Sequence, residues 1–149
     1  MSSMDDSALE AAGWRRLPTT LFSAVIGQTW VSGQPGARQV ALVSTDAHAN
    51  DHIGVIHGGV LMTFADIALG VATSEALGLA HCVTAQLQMQ FVATAAVGSL
   101  LICEPEVVRK TSSLVFARGL IQADGKVVAS ADGIFKVLDP AKFARMQVG

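Results

Sequence analysis

The chain has 149 residues and a mass of 15.5 kDa, enough for one domain whose core needs no disulfide or metal staple. Hydrophobic residues make up 51% and charged ones 15%, with a mean hydropathy of +0.48, a composition that predicts burial of surface against copies of the same chain. A net charge of −2, a pI near 6.0 and the lack of any Lys/Arg run exclude a general basic field for nucleic acid.

In chain order, residues 1–6 read as loose. Residues 7–16 read as a short helix, with Ser7 as cap and Glu10 three residues later. The start is acidic and polar, without the basic segment and apolar core of a signal peptide, so a cytoplasmic location is expected. Pro18 ends the helix, residues 20–26 are ambiguous, and residues 28–32 and 38–44 read as an antiparallel pair around Gly33-Gln34-Pro35-Gly36. A polar loop over residues 45–51 follows.

Residues 53–80 change the pattern. After His57-Gly58-Gly59 the chain is apolar or small for more than four helical turns, with Asp66 in the middle. Val60, Leu61, Phe64, Ile67 and Ala68 have helical spacing, and Met62, Ala65 and Leu69 make the other sides apolar too, which predicts a helix buried all round. Its length raises a membrane span, but the glycines, the carboxylate and the strand-rich flanks favour a core helix. A carboxylate there must be hydrogen-bonded, shifted in pKa or open to a cleft. The glycines allow a tight turn into a helix N-terminus whose free N–H groups suit an anion or a developing oxyanion. Asp66, seven residues past Gly59, falls on the same side about 10 Å along.

From Val83 to Phe91 the repeat is two residues, with Thr84, Gln86, Gln88 and Gln90 alternating against apolar neighbours; one face should pack on the helix and the other stay polar. Residues 99–109 read as a long strand bent by Pro105. Residues 113–122 and 126–138 form a hairpin at Asp124-Gly125, and Pro140 opens a tail. The resulting class is α+β, an antiparallel sheet wrapped around one long central helix. The expected organisation is an amino-terminal segment over 1–19, a domain over 20–138 and a tail over 139–149. Cys82 and Cys103 lie in apolar strand-like runs and are expected as reduced core residues.

His48, His52 and His57 raise a metal site, but they occupy a loop and a turn without a helical H-E-x-x-H pattern or cysteine partners, so no metal is expected. No G-x-S-x-G elbow, dinucleotide turn or phosphate loop is present.

The segment from Gly54 to Asp66, G-V-I-H-G-G-V-L-M-T-F-A-D, followed by the alternating strand, resembles the hotdog-fold thioesterases, especially the phenylacetyl-CoA-thioesterase-like (PaaI-like) branch. The resemblance spans residues 20–138. It implies a homodimer, often paired into a tetramer, with active sites between subunits, acyl-CoA as substrate, no cofactor, and neither nucleic acid nor membrane as partner. On it, Asp66 matches the catalytic carboxylate, as base or nucleophile. Gly59, with Gly58 beside it, matches the N–H that polarises the thioester carbonyl. His57 would brace the turn or lie near the sulfur, and Thr84 matches a hydroxyl near the attacking water. Relatives commonly carry an asparagine where this chain has Asp51; either Asn50 reaches the site instead, or Asp51 replaces the amide. Arg109, Lys110, Thr111 and Ser112 would meet the CoA phosphates. Met62, Phe64 and Met89 suggest a pocket for an aryl or medium-chain acyl group.

Plainer alternatives stand beside these. Asp66 could pair with Arg109 or Arg118, the glycines could serve close packing, and His57 could make a structural hydrogen bond. Thr84 could belong to a polar strand face, and Arg109 and Lys110 could be solvated turn charges. The expected function is acyl-CoA thioester hydrolysis; the alternative is a hotdog module that binds acyl-CoA or fatty acid without turnover, and a hydratase is less favoured.

Overall fold

The computed structural model describes residues 4–51, 53–78 and 81–148. One antiparallel sheet holds the fold together. Its strands are β1 (Arg15–Arg16), β2 (Thr29–Gln34), β3 (Ala37–Val43), β4 (Cys82–Phe91), β5 (Leu100–Cys103), β6 (Glu106–Lys110), β7 (Leu114–Ala123) and β8 (Lys126–Val137). The spatial order is β1-β2-β3-β5-β7-β8-β4, with β6 also on β7.

Helix α2 (Gly58–Leu77) lies against the inner face of this sheet. At about 1.5 Å per residue it carries the chain roughly 30 Å, from β3 to the far edge of the sheet, where β4 joins β8. Of the strands after α2, β5 to β8 therefore follow one another in neighbouring positions, and β4 is displaced to the edge. α2 is long and apolar enough to cross a membrane by length and composition alone, yet Leu61, Phe64, Ala65, Ala68 and Leu69 form one face sunk in the core. The expectation of burial on all sides is corrected: Met62 is exposed, and Asp66, Ile67, Gly70 and Val71 are half-buried along a cleft. A second apolar face is needed wherever a ligand or a second subunit is to be met, and hydropathy alone reads it as core.

The β7–β8 hairpin turns at Asp124 (φ 47°) and Gly125 (φ 83°), the two left-handed residues a two-residue turn requires. The Asp124 carboxylate also accepts the Leu100 N–H at 3.0 Å. The long strand expected around Pro105 is instead cut into β5 and β6, both paired to β7, because proline offers no N–H to the ladder. Gly119 of β7 lies under the break, where a Cβ would meet Cys103 Sγ at 2.8 Å.

The termini correct two further expectations. Helix α1 spans Asp6–Ala11 and is capped by Asp5, whose carboxylate accepts the Ala8 N–H at 2.8 Å, rather than by Ser7. Residues 15–16 are strand. The loose start expected over 1–6 lies outside the described residues except for 4–6, where Asp5 caps and Asp6 is already helical. α1 places Leu9 in a second cluster with Trp14, Trp30 and Ala41, while Arg16 sits over the Trp30 ring at 4.7 Å. Residues 21–26 form a 3-10 turn. The expected tail contains α3 (Pro140–Val148): Asp139 accepts the Ala141 N–H at 2.8 Å and Pro140 occupies the first helical position, a start signal present in the sequence.

Candidate active site

α2 begins with a histidine cap. His57 has extended backbone (φ −61°, ψ 136°), and its Nδ1 accepts the Gly59 N–H at 2.8 Å. The ring lies where a Cβ on Gly59 would fall, 3.0 Å from Nδ1, so glycine is what lets the histidine fold over its own helix. The bond also makes Nδ1 the unprotonated nitrogen and leaves Nε2 as the donor. Gly59 N–H, the donor implied by the resemblance, is thus occupied by His57. The donor left at the helix start is Gly58 N–H, for which no partner is found among the described residues. Gly58 also lies under the half-exposed Phe91 ring, 3.5 Å from a would-be Cβ.

The turn is held from behind. The His57 N–H donates to the His48 carbonyl at 2.8 Å. The buried His48 ring accepts the Thr45 N–H at 2.9 Å on Nδ1 and meets the Ile26 carbonyl at 2.7 Å on Nε2. The sequence suggests His48 only as a metal ligand; its bracing role depends on a contact 22 residues away that no local pattern shows. Among the described residues no group of three or more His, Cys, Asp or Glu side chains is placed to hold a metal; His52 lies outside them.

Asp66 sits two turns along α2, and its Oδ1 accepts the Thr84 hydroxyl at 2.5 Å. Neither arginine alternative holds, since Arg118 pairs with Glu106 at 3.2 Å and Arg109 lies in β6 opposite Phe116. Strict alternation would put Thr84 on the outer face with the glutamines. A bulge at Ala85 prevents this, because Thr84 pairs with the inward-facing Phe135 while Gln86 pairs with its neighbour Ile134. The extra residue reverses the phase of the strand, so Cys82 and Thr84 face the helix as Leu87 and Met89 do.

Asp66 and Thr84 open onto a cleft of about 660 Å³, walled by α2, the start of β4 and residues 15–18 of the amino-terminal segment. Cys82 lies in the same cleft, its thiol pKa pushed up by burial and further by the Asp66 charge, with Ser74 opposing. Arg38 and Glu75, only 14% and 25% exposed, pair at 3.0 Å at its far end.

The other candidates are more scattered. Asn50 and Asp51 occupy the turn before α2, with Asp51 exposed in the left-handed region (φ 47°); the Asn50 N–H donates to the Val55 carbonyl at 2.7 Å, and neither residue lines the Asp66 cleft of its own protomer. Arg109 is exposed at the end of β6, and Lys110 Nζ donates to the Ala76 carbonyl at 3.0 Å, at the opposite end of α2 from Gly58. Thr111 shapes the following turn by accepting the Leu114 N–H at 2.9 Å, and Ser112 is exposed. Phe64 is fully buried in the core, so it is removed from the expected pocket lining; Met62 is exposed on the outer side of α2, and Met89 is half-buried.

A helix-capping histidine, a Gly58 N–H without a partner among the described residues and a hydroxyl-bound aspartate thus lie along one helix. Residues 53–130 match the family model described as the Thioesterase superfamily, and the chain belongs to that superfamily. A candidate esterase of Pseudomonas aeruginosa is 35% identical over 97 residues, which cover 64% of this chain and 72% of that protein. The fold is likewise that of solved hotdog thioesterases. A mutant of the phenylacetic acid degradation protein PaaI from Thermus thermophilus aligns over 89% of this chain and all of that one, with 23% identity and a TM-score of 0.64. A hypothetical thioesterase from Streptococcus pneumoniae, solved with coenzyme A, aligns over 74% and 85%, with 19% identity and a TM-score of 0.64. The protein is a hotdog-fold thioester hydrolase.

Proposed function

We propose that this thioester hydrolase acts on acyl-CoA, with an aryl or medium-chain acyl group, as a homodimer. The observation that carries the reading is the 2.5 Å contact between Thr84 and Asp66 on a cleft with mixed apolar and polar walls. It holds the carboxylate in one orientation and leaves its second oxygen for a water or for direct attack. The thioester carbonyl is polarised by the Gly58 N–H and the positive end of α2, while His57 keeps the first turn rigid. Coenzyme A in the Streptococcus pneumoniae neighbour supports the choice of thioester.

Gly58 and Asp66 of one protomer lie about two helical turns apart, roughly 12 Å. One carbonyl cannot meet both, so the site is completed between subunits, Gly58 of one facing Asp66 and Thr84 of the other. Support comes from β4, whose outer edge has no partner strand among the described residues, and from Ile53, Met62, Val83, Phe91 and Val92, exposed around that edge and the start of α2. The exposed turn at Asn50 and Asp51 would then meet the partner's site. Arg109 and Lys110 remain the basic groups for the CoA phosphates, with Lys110 leaving the Ala76 carbonyl to do so.

Thiol release from a panel of aryl and short- to long-chain acyl-CoAs, wild type beside Asp66→Asn, tests this. Hydrolysis abolished by the substitution supports the assignment. Binding of acyl-CoA without turnover in the wild type would instead identify a binding module.

A further inference from the structure

Gly70 is a glycine in a helix interior with no local reason to be one. Glycine there weakens a helix relative to alanine through its backbone freedom. Other glycines of the fold have evident causes: Gly125 has positive φ, and a Cβ on Gly133 would meet the Phe135 ring at 2.9 Å. At Gly70 φ is ordinary, and a Cβ would meet nothing within 4 Å. What lies over it is the Asp66 cleft.

The cleft follows one face of α2. Asp66, Gly70 and Ser74 line it at four-residue spacing, with Ile67, Val71 and Glu75 beside them. Asp66 to Ser74 is about 12 Å along the axis, the reach of roughly eight to ten linked carbons. Leu17, Pro18, Ile67 and Val71 give the groove apolar walls, with Arg15 and Arg16 also on its lining, and the Arg38–Glu75 pair stands beside Ser74. We infer that this groove is the acyl channel, that Gly70 is the residue that sets acyl length, and that the preferred substrate carries a linear medium-chain acyl group running from Asp66 past Gly70 to Ser74. The inference rests on the acyl-CoA reading above and selects the medium-chain acyl group within it. A side chain at 70 would stand across the channel one turn beyond the reacting carbonyl, leaving room for only a short acyl group.

The test is the ratio of kcat/KM for octanoyl-CoA over butanoyl-CoA in wild type, Gly70→Ala and Gly70→Leu, with melting temperatures alongside. The wild type should favour octanoyl-CoA. The leucine variant should lower the ratio at least about 30-fold, since the outer methylenes of the longer chain lose their apolar contacts, and alanine should lower it less. Alanine should also raise the melting temperature, which keeps a folded variant in the series. A ratio within about twofold of wild type in the leucine variant, whether both rates persist or fall together, would overturn the channel. A wild type that hydrolyses neither thioester would sink the acyl-CoA reading itself, a failure visible before any substitution is made.

Discussion

β8 and β4, 12 and 10 residues long, lie side by side in the sheet and each carries a bulge, but they do different jobs. β8 is paired on both sides and has a bulge of its own at Val128, since Ile121 pairs with Ala129 but Gln122 with Val127; beyond it Ala129, Ala131, Gly133 and Phe135 all face the core. Among the described residues β4 is paired on one side only, and its alternation breaks at Ala85. The place of each extra residue decides what it does: in β8 it lies near the hairpin turn and leaves Val128 and Ala129 both buried, whereas in β4 it lies near the start of the strand and turns one side chain inward. Here that side chain is Thr84, and the partner it reaches is Asp66. The bulge of β8 serves the core, and the bulge of β4 serves the site.

The comparison can be broken most directly at the carboxylate. Asp66→Asn should lower kcat by about 10²- to 10⁴-fold with little change in melting temperature, as measured by thiol release and thermal unfolding. A small loss of rate would remove Asp66 from the chemistry. On the core side, Ile121→Ala in β7, fully buried between β5 and β8, should cost about 2–5 kcal/mol in denaturant unfolding. Gln88→Ala on the outer face of β4 should stay within about 0.5 kcal/mol.

The bulge itself can be tested by subtraction. Thr84→Val removes the hydroxyl that orients Asp66 and should lower kcat by about tenfold. Deleting Ala85 removes the extra residue while leaving Thr84 inward, next to Gln86 in plain alternation, so hydrolysis should persist within about tenfold of wild type. A deletion as damaging as Asp66→Asn would show that Ala85 does more than set the phase. The thiols offer a separate check on the core. Burial pushes the Cys103 thiol up to about 12, and burial also raises Cys82, so at pH 8 both are mainly protonated. A raised thiol pKa means less thiolate below it, so native alkylation should be slow at Cys82, faster as pH rises, and negligible at Cys103 until the protein unfolds.

Much of this is legible in the residues. The carboxylate in the middle of an apolar helix marks Asp66, His57-Gly58-Gly59 marks the helix start, and Asp124-Gly125 marks the hairpin, each because a local rule is nearly obligatory there. The Asp139-Pro140 helix start is equally local, yet a short terminal stretch after a proline reads as a tail. Local signals do not show which N–H the histidine occupies, since Gly58 and Gly59 differ only in where the His57 ring folds. Nor do they place Thr84, because period-two alternation assumes no bulge.

The sequence by itself determined the class of fold, one long apolar helix against an antiparallel sheet, and the candidate carboxylate. Hydrophobic period and helix-start chemistry are properties of neighbouring residues. The tertiary structure alone decided that β4 lies at the sheet edge, that Thr84 turns inward to Asp66, that His48 braces the turn from 22 residues beyond Ile26, and that α2 keeps one apolar face for the cleft. Each of these depends on which distant segments share space, and that is settled by packing across the whole sheet rather than by any window of the chain.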